Sequence, residues 1–432
     1  MRAVPPLDLL LALLKTYSNF VGAMMARGLE VVGKLGLYML GARALGVHES
    51  GNFFLCLTWV GLIATVSRAG FEKAVIRHLA AELAVGRGRD ARKAFFMSAG
   101  FVTLGGTLAT LATILLAYPL AKHAFGDAAL AAPLTISAFA ILPQALCIYM
   151  GHALVGFDRG ATGQLVQNGL WPALTLAALL AGVHSLEGLL YALAGANLTA
   201  ALLGLVLLLR ERHRFQAEPA PGSTVEAMPA LWRTAIPLSV VEVVQITLAS
   251  LPVLLLAAFG LPAAVGAFSV ANRISMLIWV VSTSIGVVAA PSFAASHRRE
   301  EWDELRRLNR RVRLAVAVFG APIVAAMLLA PEMLLHLIGP GFEIAAPALM
   351  VMGIGQLINC MLPCQDIVLS MTGYGSMLRW LNTAQFVVCC TICVLLIPPL
   401  GMMGAAIATA VFAAQGAIGT TLAVRHYLPK AF

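Results

Sequence analysis

The sequence predicts an all-α, polytopic membrane protein with about twelve transmembrane helices in two six-helix lobes, related by a pseudo-two-fold axis along the membrane normal. Three observations carry this expectation. Of 432 residues, 60% are hydrophobic and 11% are charged, and the mean hydropathy is +0.88, whereas a soluble domain holds about 25% charged residues. Apolar stretches of about 20 residues, enough to cross about 30 Å of hydrocarbon at 1.5 Å per residue, recur from end to end. A polar segment at 210–232, RERHRFQAEPAPGSTVEAMPALW, separates six of these stretches from six more.

In chain order the spans are expected at 16–41, 53–80, 94–117, 128–150, 163–183, 188–209, 233–259, 264–294, 313–336, 343–371, 379–397 and 401–424. The opening MRAVPPLDLLLALLKTYSNF reads as the approach to the first span and not as a signal peptide, because Asp8 interrupts its apolar part and no small-residue cleavage site follows. The first span ends in LGARALGVHESGNFFLCL, which turns on glycine and restarts with Gly-x-Phe; LLAAFGLPAAVGAFSVAN does the same in the second half. Each restart leads through a long span into a basic loop, GRGRDARK in one half and SHRREEWDELRRLNRR in the other. Six spans per half put both halves the same way up. Such parallel repeats mark transporters whose substrate site lies between the halves. The expected organisation is therefore an N-terminal lobe at 1–210, a linker at 211–232 and a C-terminal lobe at 233–432. Pro119, Pro143, Pro172, Pro237, Pro252, Pro322 and Pro363 lie within or at the ends of spans, where each frees a backbone carbonyl and permits a kink.

Lys and Arg give the orientation. One set of tails and loops holds Arg2, Arg87, Arg89, Arg92, Lys93, Arg159, Arg210, Arg212, Arg214, Arg233, Arg298, Arg299, Arg306, Arg307, Arg310, Arg311, Arg313, Arg379, Arg425 and Lys430; the alternate set holds Arg43 and Lys122. Cytoplasmic loops retain positive charge, so both termini are expected in the cytoplasm. The net charge of +9 is then a topology signal. It does not call for nucleic acid, since the basic residues are scattered over short loops and not gathered on one face. All seven cysteines fall inside predicted spans, and Cys389, Cys390 and Cys393 read as small packing groups with no His or carboxylate nearby to complete a metal site.

The charges inside the spans carry the functional reading. Arg27, Glu30 and Lys34, at steps of three and four, share one helix face near mid-membrane. A charge at the bilayer centre costs at least about 2.5–3.5 kcal/mol, so such a stripe implies pairing or a water-filled lumen. An ion-pair ladder between helices is the plain alternative, but the cations outnumber the acid. Arg68 and Glu72 lie four residues apart within the inner leaflet, while Lys73, Arg77 and His78 are expected to reach the cytoplasmic headgroups as anchors. The second half contributes Glu242, Arg273 and Asp366 among buried amides such as Gln356, Asn359 and Gln365. Arg27, Lys34, Arg68 and Arg273 are thus the candidate binding cations, suited to phosphate; Glu30, Glu72, Glu242 and Asp366 are the candidate gating or coupling acids. No G-x-x-x-x-G-K-[ST], H-E-x-x-H or G-x-S-x-G occurs, and the outer loops are short, so an enzyme is not expected.

ARALGVHESGNFF, GFEKAVIRHLA, the stretch LIGPGFEIAAPALMVMGIGQLINCMLPCQDIVLSMTGYGSMLR and LLIPPLGMMGAAIATA resemble, in order and spacing, the Wzx-type polysaccharide (O-antigen and teichoic acid) flippases. These sit in a superfamily that also holds lipid II flippases and multidrug exporters. The resemblance implies a bacterial inner-membrane transporter that turns an undecaprenyl-diphosphate-linked oligosaccharide from the cytoplasmic to the outer leaflet by alternating access. It needs no cofactor beyond a coupling H+ or Na+, and its partners would be the lipid-linked glycan, a polysaccharide polymerase and chain-length proteins. The alternative is a cation-coupled multidrug or small-solute antiporter of the same superfamily; a membrane scaffold within a glycan-assembly complex is a third reading.

Overall fold

The computed structural model describes the backbone of residues 6–216, 230–260 and 262–429, and every regular element in these residues is helical. The centre of the predicted linker lies outside the described residues. In order the helices are α1 (Pro6–Arg68), α2 (Phe71–Ala84), α3 (Gly88–Pro119), α4 (Ala131–Ala138), α5 (Ile141–Gly156), α6 (Gly160–Gln164), α7 (Leu170–Leu180), α8 (Leu186–Arg210), α9 (Leu231–Phe259), α10 (Pro262–Arg298), α11 (Trp302–Leu329), α12 (Pro331–His336), α13 (Ala346–Met361), α14 (Gln365–Met371), α15 (Gly375–Leu400) and α16 (Met402–Tyr427). Short π-helical turns cover Leu120–Ala124 and Leu165–Gly169.

Among the described residues ten helices are long and apolar enough to cross a membrane, against about twelve expected spans. Two local features account for the difference. The first of the ten, Met25–Arg68, runs for 44 residues and holds two expected spans joined at Gly46, whose φ of 74° interrupts the helix where the sequence places its turn. The expected span at 163–183 lies in the continuous helical run of α6, the π-helical turn and α7, whose Gln164, Gln167 and Asn168 make it less apolar than the ten. Other expected spans are also broken. The one at 343–371 divides between α13 and α14, where Cys364, after Pro363, adopts a φ of 58°. The one at 53–80 divides at Ala69 and Gly70, with φ of 48° and 74°.

The chain forms two compact units, Met1–Leu45 with Cys56–Thr247 and Gly46–Leu55 with Leu248–Phe432. In the first, α5 packs against α2, α3 and α8, and fully buried Tyr149 ties α5 to α3 by donating to the Phe95 carbonyl at 2.8 Å. In the second, α13 packs against α11 and α16 around Leu349 and Met352. The turn at Gly46–Leu55 lies against the start of α10 in this second unit. Gly51 and Gly266, the glycines of the two Gly-x-Phe restarts, meet there: a Cβ on Gly51 would stand 3.1 Å from the Gly266 nitrogen, and one on Gly266 would stand 2.9 Å from the Gly51 nitrogen.

Candidate functional site

The α1 stripe becomes a cluster in the first unit. Three-residue and four-residue steps bring Arg27 and Lys34 onto Glu30 from opposite sides along the helix. Arg27 Nη1 donates to Glu30 Oε2 at 3.1 Å and Lys34 Nζ to Oε1 at 2.8 Å. Gln164, the last residue of α6, adds a 2.9 Å donation to Glu30 Oε2, and Gln167 in the π-helical turn donates to Gln164 at 2.9 Å. Lys34 also stands 5.8 Å from the centre of the buried Trp171 ring. A π-turn displaces side chains from regular α-helical register and is frequent at functional sites. The Glu30 carboxyl is nearly covered, while the Arg27 side chain is 47% exposed and Lys34 31%. Two cations and one acid leave a net positive, partly open group that can receive an anion.

Arg68 and Glu72 meet across the break between α1 and α2. Arg68 is the last residue of α1 and donates back to the Ala64 carbonyl and to Thr65 Oγ1, each at 3.0 Å, so it caps the helix end it belongs to. Its Nε stands 3.3 Å from Glu72 Oε1, without hydrogen-bond geometry, and both residues are buried. A cation at a helix C-terminus and an acid in the next first turn each face the favourable end of a helix dipole.

Glu242 does not join these groups as a separate acid; it takes Lys73 of α2 as an ion-pair partner. This corrects the expectation that Lys73 reaches the headgroups. The break at Ala69–Gly70 starts a new helix, so distance along one continuous span no longer describes its depth. Gly70 lies so close to α9 that a Cβ would press on the Ala235 carbonyl and the Ser239 nitrogen. Ala74, Ala94, Leu231, Ala235 and Phe71 complete that contact and carry Lys73 to Glu242. His78 is no surface anchor either: it is buried, with Nδ1 3.0 Å from the Ala74 carbonyl. Arg77 is exposed as expected.

The remaining candidates lie in the second unit. Arg273 on α10 has its guanidinium 3.8 Å from Met276 Sδ. Gln356 donates to Ser275 at 3.1 Å and accepts from Asn359 at 3.1 Å, and Gln365 donates to Asn309 at 3.0 Å. Asp366 is exposed in the first turn of α14, after the break at Pro363 and Cys364. Sequence reasoning passed over Gln164, Gln167 and Trp171. Their signal was an amide pair at a three-residue step followed by an aromatic four residues on.

Comparison with known proteins gives this arrangement its context. The family model described as Polysaccharide biosynthesis protein matches residues 15–297, and the MatE model matches 237–398. No curated protein matches the chain. Among solved structures, the fold is similar to a multidrug resistance MATE family transporter of the MOP superfamily in an inward-facing conformation, with 13% identity, a TM-score of 0.69 and coverage of 95% of this chain and 98% of that one. It is similar to the lipid II flippase MurJ in an inward closed conformation, with 11% identity, a TM-score of 0.69 and coverage of 95% and 87%. It is also similar to a MOP superfamily transporter from Pyrococcus furiosus, with 15% identity, a TM-score of 0.58 and coverage of 95% and 94%. The chain belongs to the polysaccharide biosynthesis protein family, and it has the fold of the membrane transporters to which it is similar.

Proposed function

We propose that the protein is a flippase that moves an undecaprenyl-diphosphate-linked oligosaccharide from the cytoplasmic to the outer leaflet of a bacterial inner membrane, by alternating access of two six-span lobes, 1–210 and 233–432. The observation that carries this reading is the net-cationic group of Arg27, Glu30 and Lys34, partly open and carried by a chain of the polysaccharide biosynthesis family. A diphosphate offers the acceptors that such cations bind, and Arg27 holds one in bidentate fashion. In this reading Arg68 and Arg273 add positive charge to the substrate path, and Glu30, Glu72, Glu242 and Asp366 exchange ion pairs as it opens and closes. The distribution of Lys and Arg supports cytoplasmic termini. A polysaccharide polymerase and chain-length proteins would act on the delivered glycan.

In cells lacking the wild-type gene, Arg27→Ala and Arg273→Ala expressed at normal levels are expected to leave surface polysaccharide depleted. Unchanged polysaccharide would refute the assignment. The MatE match over 237–398 favours a second reading, a cation-coupled multidrug or small-solute antiporter. A deletion strain with altered drug susceptibility and normal surface glycan selects it.

A further inference from the structure

A cavity of about 480 Å³ opens on the first unit where α2 and α5 end. Ala80, Leu83 and Ala84 of α2 line it with Val155 and Phe157, and its charged members are one acid, Asp158, and one base, Arg214. Gly156 sets α5 against α2 beside it: a Cβ there would stand 2.9 Å from Leu79 Cβ and 3.3 Å from the Ile76 Cα. Ala80, Ala84 and Asp158 are exposed, so the cavity is open to its surroundings. Two of the runs long enough to cross a membrane, Ala128–Gly156 and Leu186–Arg210, end at or just before it. Its level is therefore that of the lipid headgroups.

The two charges are each left with capacity. Arg214 donates from Nη1 to the Phe157 carbonyl at 2.7 Å and holds Nε 3.4 Å from Glu211 Oε2, while Glu211 also takes Arg159 at 2.9 Å. Among the described residues Nη2 of Arg214 has no partner. Asp158 holds the left-handed position after α5, with a φ of 62°, and its carboxylate makes no hydrogen bond or ion pair among the described residues. The acid stands at the C-terminal end of α5, where the helix dipole also favours a cation. A ligand that fits must bring both signs on a small head, followed by an apolar body.

We propose that this cavity binds a zwitterionic phospholipid with a primary ammonium, phosphatidylethanolamine. The ammonium donates to the Asp158 carboxylate, and the phosphodiester accepts from Arg214 Nη2. The first methylenes of the acyl chains lie on Ala80, Leu83, Ala84 and Val155 and leave water there. An anionic phospholipid satisfies Arg214 alone and sets like charge against Asp158. Phosphatidylcholine carries the positive charge but has no N–H to donate. The cavity volume lies within the range of about 300–1,000 Å³ usual for small-ligand sites. The site shares no residue with the Arg27, Glu30 and Lys34 group, and it does not depend on what the protein transports. A lipid bound there bridges α2, α5 and the turn after α8, which stabilises this end of the unit.

Native mass spectrometry of the delipidated full chain, offered equimolar phosphatidylethanolamine, phosphatidylglycerol and phosphatidylcholine with the same acyl chains, tests the assignment. Phosphatidylethanolamine is expected to be retained about threefold to fivefold over either of the others, and Asp158→Asn to lower it to the phosphatidylcholine level. A second measurement needs no variant: phosphatidylethanolamine with a diazirine close to its glycerol is expected to label wild-type peptides that contain 80–84 and 155–158. Equal retention of the three lipids overturns the proposal, as does a preference that survives Asp158→Asn. Labelling confined to other peptides also overturns it. So does displacement of the label by a polyprenyl diphosphate more readily than by unlabelled phosphatidylethanolamine, which would make the cavity a port for a lipid-linked substrate.

Discussion

At the scale of single residues, the charges in the apolar stretches separate by partner. Glu30 receives three donors, from Arg27, Lys34 and Gln164, and the spacing of the first two already announced their meeting. The Lys73–Glu242 pair was not legible, because its members are 169 positions apart and only the close approach of Gly70 to α9 unites them. Arg68→Ala would leave Glu72 buried and uncompensated, which costs about 3–5 kcal/mol. Thermal unfolding in detergent should show that loss, and Arg68→Ala with Glu72→Gln should recover most of it. Lys73→Ala strands a less buried acid and should cost about 1 kcal/mol in the same assay. Exchanging the charges with Lys73→Glu and Glu242→Lys should restore it.

At the scale of elements, the lengths of apolar runs located the spans but hid their breaks. Ala69 and Cys364 are left-handed without being glycine, and nothing in the identity of an alanine or cysteine announces that conformation; tertiary contact selects it. The π-turn at Leu165–Gly169 is equally silent in a run of apolar and amide residues. The Gly-x-Phe restarts, by contrast, were readable as a repeat, and their glycines come into close contact within the second unit. Gly266→Ala should therefore cost about 1–3 kcal/mol through overpacking against the Gly51 turn. Gly100→Ala, whose Cβ meets nothing within 4 Å, should be neutral or stabilising by up to about 1 kcal/mol. Melting temperatures of the two variants make the comparison.

At the scale of the whole molecule, a long apolar chain with a central polar segment and matched halves was enough to give the class and the two-lobed fold. The substrate was not legible to the same degree, because a cationic stripe specifies an anion and says nothing of the sugar attached to it. The reading as a glycan-lipid flippase rests on that stripe within a polysaccharide biosynthesis chain. Reconstitution tests it most directly. Liposomes carrying an undecaprenyl-diphosphate oligosaccharide in both leaflets protect the inner half from an added glycosidase. The purified chain should expose that half, and Arg27→Ala with Lys34→Ala should not. Protection that persists in the presence of folded wild-type protein, with or without an imposed proton gradient, would contradict the account.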